Sequence, residues 1–333
     1  MFKLSRFYLI AVVLSICTLQ VLSVAAQEFE VPLEEQKRQA NEALKESLSG
    51  GWLVASWIKH LLETGDFARV EEVLEGALQS YQENPQREAH LRGAYDLFCP
   101  AAGFDIELLN RWVDSTDSYA AYAARGTFLA QLAGSARGHQ YIQYTAKENL
   151  ETMADLAAEA GKDLLVAVEK KTSLVSAYAW LVILAKMTPM PYTAREMLDR
   201  ALEQDKKTFY VRLQYMNSLL PRWGGSYEAM ASFAMESIEY AELNPRLWIL
   251  QGEIFADLAG YEWEDGNYNR SAEFYTMAME FGETVRWLSY RAGCYVKLNR
   301  LKEALSDFER VLYYEPGNKK AQKWVPYLMA STR

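Results

Sequence analysis

Residues 287–324, WLSYRAGCYVKLNRLKEALSDFERVLYYEPGNKKAQKW, constrain the fold more than any other stretch. Apolar or small residues recur at helical spacing through Leu288, Ala292 and Tyr295, and again through Ala304, Phe308 and Val311, before Pro316 ends the run. That pattern predicts two short helices folded into a hairpin and closed by a proline turn. Such a hairpin cannot bury both of its apolar faces alone, so it requires neighbours of the same kind. Weaker copies of the pattern upstream supply them.

Taken in order, the chain predicts a helix over 33–48, stopped at Ser49-Gly50-Gly51, and then a first hairpin over 52–83. In that hairpin Trp52, Trp57, Leu61 and Leu62 precede a Gly65-Asp66 turn, and Phe67, Val70, Leu74 and Ala77 follow it. Residues 87–171 are helical but lose register, with helices expected over 105–113, 119–132 and 145–160 and a break at 134–138. Ala120, Ala121, Ala123 and Ala124 predict close helix approach in this centre. Register returns at Val175, and Thr193 with Glu196 forms a capping-box pattern for the helix that follows. One hairpin is expected from 209–220 and 227–240, joined by Pro221-Arg222-Trp223-Gly224-Gly225-Ser226. The next begins at Arg246 with a first helix about two turns longer than usual, because its turn glycine, Gly266, comes late. A final helix over 319–329 is expected to cover the end of the stack.

The hairpins, clearest over 246–318, resemble the tetratricopeptide-repeat superfamily, which implies an all-α solenoid of stacked helical hairpins. Arg125-Gly126, Ala136-Arg137-Gly138 and Leu219-Leu220-Pro221-Arg222-Trp223-Gly224-Gly225-Ser226 give the centre, about 110–237, a resemblance to a bacterial family of unknown function built on such repeats. The expected organisation is therefore a signal segment at 1–26, an N-terminal helix and linker at 27–51, degenerate helical repeats at 52–171, regular repeats at 172–318 and a capping helix at 319–333. Neither resemblance implies catalysis. The best-understood peptide-binding members of the superfamily clamp a terminal carboxylate with Lys and Asn, but the corresponding places hold Ser289 and Gly293 in the best repeat and Ala55 and Lys59 in the first.

Lys3 and Arg6 precede an apolar run from Phe7 that continues through Leu19, followed by Val24-Ala25-Ala26. This predicts an export signal cleaved after Ala26 and a periplasmic or extracellular protein. The competing reading is an uncleaved anchor, against which Ser15, Thr18 and Gln20 interrupt the run. With a net charge of −9 and no basic block, the chain is a poor match for nucleic acid or anionic lipid. Cys99 and Cys294, far apart in an extended stack, are expected as two buried thiols rather than a disulfide.

Catalytic signatures are sparse. The chain has three histidines, His60, His90 and His139, and no HExxH, CxxC, Walker loop or GxSxG. Asp265, Asn267 and Asn269 alternate like a calcium loop but meet Arg270 and Thr276 where glycine and glutamate are needed, so an interhelix turn explains them. No metal or cofactor is expected. Candidate binding residues are Arg125, Arg137, His139, Tyr141, Arg222 and Trp223, in or beside the glycine breaks. Internal pairing to carboxylates or helix-end carbonyls is the favoured role of the arginines, and recognition of an anionic ligand the alternative. Trp223 is expected to plug the helix ends. Of the 21 tyrosines, Tyr119, Tyr122, Tyr141, Tyr144 and Tyr290 are candidates to line a groove. The favoured function is a non-catalytic scaffold for a protein or peptide partner laid across the first helices at 178–186, 209–220, 248–260 and 286–297. The alternative is a sensor or enzyme with a small-molecule pocket around Arg125, Arg137 and His139.

Overall fold

The computed structural model describes residues 31–50, 53–138 and 144–332. The expected signal segment, His139 and Tyr141 lie outside the described residues. Among the described residues the chain is all-α, with sixteen α-helices, short 3₁₀ stretches and no strand. None of these helices is long and apolar enough to cross a membrane. The chain forms two compact units, Gly50–Ser218 and a second made of Met1–Ser49 with Leu219–Arg333. The helices expected to pair over 209–220 and 227–240 are thereby divided between the units.

The helix α1 (Leu33–Leu48) belongs to the second unit. In the first, α2 (Ala55–Thr64) and α3 (Phe67–Glu83) form the leading hairpin, with Ile58, Leu62, Val70, Leu74 and Leu78 buried between helices. Next come α4 (Glu88–Asp96), α5 (Ile106–Thr116), α6 (Tyr119–Arg137) and α7 (Lys147–Lys170). The pair α6 and α7 is the most extensive helix contact of this unit, and Ala120, Ala121, Ala123 and Ala124 are all buried in it or in its flanks. The expected break at 134–138 is corrected. Gly134 stays helical, because packing outweighs its helix cost of about 1 kcal/mol, and α6 ends only at Gly138, whose φ is +69°. Likewise α7 runs ten residues beyond the expected Ala160, burying Leu164, Ala167 and Val168. The unit closes with α8 (Val175–Met187), α9 (Ala194–Gln204) and α10 (Tyr210–Ser218). The capping box at Thr193 and Glu196 is present in full.

The second unit contains α11 (Tyr227–Ile238), α12 (Glu253–Glu264), α13 (Tyr268–Ala278), α14 (Val285–Lys297), α15 (Leu301–Tyr314) and α16 (Lys319–Ser331). Successive helices from α12 to α16 pack on one another. Leu288, Ala292, Ala304, Phe308 and Val311 are buried between them, Tyr295 is half-buried under Arg300, and Pro316 is exposed in the turn before α16. The long first helix expected from Arg246 is helical over 245–264, but its first eight residues, Pro245–Gly252, wind as a 3₁₀ helix.

Against that 3₁₀ stretch, and against a second one at Met279–Phe281, lies α1. It buries Gln36, Ala40, Ala43, Leu44 and Ser47, so Leu44 is its one large apolar anchor, worth about 2 kcal/mol. Polar contacts complete the docking. Asn41 Oδ1 accepts from the Glu283 amide at 2.6 Å, Lys45 donates to the Tyr313 hydroxyl at 2.7 Å, and Lys37 pairs with Glu280 at 3.4 Å.

Cys99 and Cys294 are free thiols. Cys294 is buried, whereas Cys99, expected to be buried, is half-buried just before the 3₁₀ turn Pro100–Ala102.

Candidate functional site

Arginines beside glycine breaks are consumed internally where the structure describes their partners. Arg125 makes a two-point contact with Asp163, Nε to Oδ2 at 2.7 Å and Nη2 to Oδ1 at 2.9 Å, and its Nη1 donates to Asn110 at 3.0 Å. Arg222 Nη1 reaches Asp257 Oδ1 at 2.5 Å, and the Tyr227 hydroxyl donates to the other oxygen at 2.9 Å. Arg137 donates to the Gly138 carbonyl at 3.4 Å. Arg125 and Arg137 are twelve positions apart on α6, which separates their backbones by about 18 Å along the axis. They do not converge on one pocket. Trp223 ends the 3₁₀ turn Pro221–Trp223 and is half-buried. Tyr119 is bonded to Glu75 and Tyr122 to Asp117, while Tyr144 is exposed.

Tyr290 is different. It stands 46% exposed on α14, in a cluster whose other rings are half-buried or buried. Arg286, Tyr290, Gly293 and Lys297 fall at i, i+4, i+7 and i+11 and share one face of that helix. Tyr275 stacks on Tyr290 at 5.9 Å between centroids, and Trp263 meets Tyr290 edge-on at 6.5 Å and Tyr268 at 5.1 Å. Gly293 lets the ring come close, since a Cβ there would lie 3.3 Å from the Trp263 ring. Cations frame the rings. Lys320 sits 5.9 Å from the Tyr290 centroid and Lys297 5.9 Å from that of Tyr268, within the range where a ring face attracts a cation. Neither lysine has a carboxylate partner among the described residues, and Lys320 Nζ donates to the Ser289 carbonyl at 3.4 Å. Arg286, half-exposed, is held by the buried Glu253 at 2.7 Å. Burial pushes the Tyr275 hydroxyl above its ordinary value.

The sequence marks Tyr290, but it leaves Trp263, Tyr268, Tyr275, Lys297 and Lys320 unmarked. Their convergence is tertiary; the one local sign is the four-residue spacing of Arg286 and Tyr290 on a predicted first helix.

A second concavity of about 380 Å³ lies between α14 and α15, lined by Glu283, Leu288, Arg291, Ser306, Arg310 and Tyr313 among others. Its arginines are matched. Arg291 holds Asp307 through two bonds of 2.9 and 2.7 Å, and Arg310 holds Glu283 at 2.7 Å. Both of its arginines are thus held by carboxylates, which leaves Glu309 as the exposed charge of its lining. Among the described residues no group of three or more His, Cys, Asp or Glu side chains is placed to hold a metal ion. In the turn that carries Asp265, Asn267 and Asn269, Asn267 bonds Glu262 and Asn269 bonds Glu273.

One strongly perturbed carboxyl outside this face is structural. Glu88, buried at the start of α4, accepts from the Thr208 hydroxyl and from the amides of Phe209 and Tyr210 at 2.7 and 3.1 Å, fastening the start of α10. Burial pushes its carboxyl up to about 7, against the pull of those donors. A folded-state value above the ordinary 4.5 means that its contribution is complete below pH 4.5 and lost as pH rises through 7. The expected result is a loss on the order of 3 kcal/mol in the Gly50–Ser218 unit between pH 4.5 and 7.5. Glu88→Gln flattens that slope in urea titrations run across the window.

No family model matches the chain, and no curated protein matches it.

Proposed function

We propose that this protein is an exported, non-catalytic scaffold, a tetratricopeptide-like α-solenoid that binds a protein or peptide segment on the Tyr290 face. One observation carries the reading: an exposed tyrosine, packed against two other rings, in a cluster flanked by two lysines that have no carboxylate partner among the described residues. Aromatic anchors of this kind supply contact area at little entropic cost, because their rotamers are already fixed. Helical hairpins from α12 to α15 support the repeat assignment, with α14 as the first helix of its pair, the position expected to carry the ligand.

Partner contact would centre on Tyr290, with Lys297 and Lys320 contributing orientation. Site-directed crosslinking from position 290 tests this. Export rests on the pattern Lys3, Arg6, Phe7–Leu19 and Val24-Ala25-Ala26. Mass spectrometry of the protein from its native host is expected to place the mature N-terminus at Gln27; retention of Met1 would replace export and release by membrane tethering.

A further inference from the structure

The 3₁₀ stretch Pro245–Gly252 is unusually long for its kind, since such runs rarely exceed three or four residues. Eight residues wound this way are about 4 Å longer than the same residues in an α-helix. They also differ by about 160° in accumulated rotation. The winding of this stretch therefore sets the phase of α12, which continues directly from it. Three side chains of α12 depend on that phase: Glu253, which holds Arg286; Asp257, which holds Arg222; and Trp263, which lies on Gly293 and Tyr290.

All residues from Arg246 to Gly252 are buried, and α1 packs on this stretch. The contact is close. A Cβ on Gly282 would lie 2.7 Å from Ile249 and 2.8 Å from the Ala40 methyl, so α1 reaches the 3₁₀ stretch across a bare backbone at φ +130°. Yet α1 itself is lightly fastened. Its N-cap is Pro32, with no side-chain cap, its one large buried apolar residue is Leu44, and its polar ties include those of Asn41, Lys45 and Lys37. Helices with so few buried apolar contacts open well below the threshold for global unfolding.

We propose that α1 is a detachable strap whose docking keeps residues 245–252 in their 3₁₀ winding and thereby holds α12, with Trp263, in register with the Tyr290 face. As regulation of that face the inference rests on the recognition reading, but its test does not need a partner. Release of α1 lets the stretch rewind, turns α12 and withdraws Trp263 from Gly293.

The test is hydrogen exchange on the full chain, comparing wild type with the surface double variant Asn41→Ala/Lys45→Ala. The expected result is that amides of 33–48 and 245–252 share one opening rate in wild type. Both accelerate by about tenfold in the variant, while 301–331 keep their protection. Acceleration confined to 33–48 would overturn the proposal, and so would equal acceleration across the whole unit. An exchange result of that kind leaves recognition at Tyr290 standing, whereas failure of crosslinking at Tyr290 with coupled exchange intact removes the recognition reading and leaves the strap.

Discussion

Asp163→Ala is expected to cost the Gly50–Ser218 unit about 2–4 kcal/mol, read as a drop in its urea midpoint. The side chains of Arg125 and Asp163 are 19% and 10% exposed, so the pair is largely withdrawn from water. Removing the carboxylate strands a guanidinium with Asn110 as its remaining described side-chain acceptor. The penalty for such a stranded charge exceeds the net worth of the intact pair, and the residual exposure of Arg125 keeps it below the full cost of a deeply buried ion. Replacing both partners by apolar residues of similar volume is therefore expected to recover most of the loss. If Asp163→Ala costs less than about 1 kcal/mol, Arg125 has another outlet and the internal pairing is not what holds it.

Tyr290→Ala is expected to weaken partner binding by about 10- to 100-fold with little change in stability. Its ring is half in solvent, and truncation leaves the edge-on contact between Trp263 and Tyr268 in place. Tyr144→Ala provides the comparison: that side chain is 68% exposed and belongs to the Gly50–Ser218 unit, not to the unit of α1 and the Tyr290 cluster. Its loss is expected to leave direct contacts at the Tyr290 face in place. A titration in which the two variants weaken binding equally would remove Tyr290 as the anchor.

Local features were legible in the chain and tertiary ones were not. The helix at 33–48 matches its expected ends because an N-terminal acidic turn and a glycine pair mark them, and the capping box at Thr193 follows from two residues three apart. Helix α6 runs past Gly134 because the energy that holds it comes from α7, which pattern reading along α6 does not see. The 3₁₀ winding of 245–252 escapes for the same reason: α1, two hundred residues earlier, lies on it. Arginine pairing was anticipated in kind, and Arg125 and Arg222 show it, but Asp163 and Asp257 lie 38 and 35 positions away and carry no local sign. The recognition face was legible as a single tyrosine. Its rings and lysines come from α12, α13, α14 and α16, which no periodicity within one helix connects.

The central claim is that a partner sits on the Tyr290 face, and site-specific photocrosslinking in the native host tests it most directly. With a photoreactive residue at 290 or 297, a discrete crosslinked species is predicted, and the same residue at Glu309, exposed on α15 beside the second concavity, is predicted to give none. Absence of crosslinks from 290 and 297, or an identical pattern from all three positions, would contradict the account.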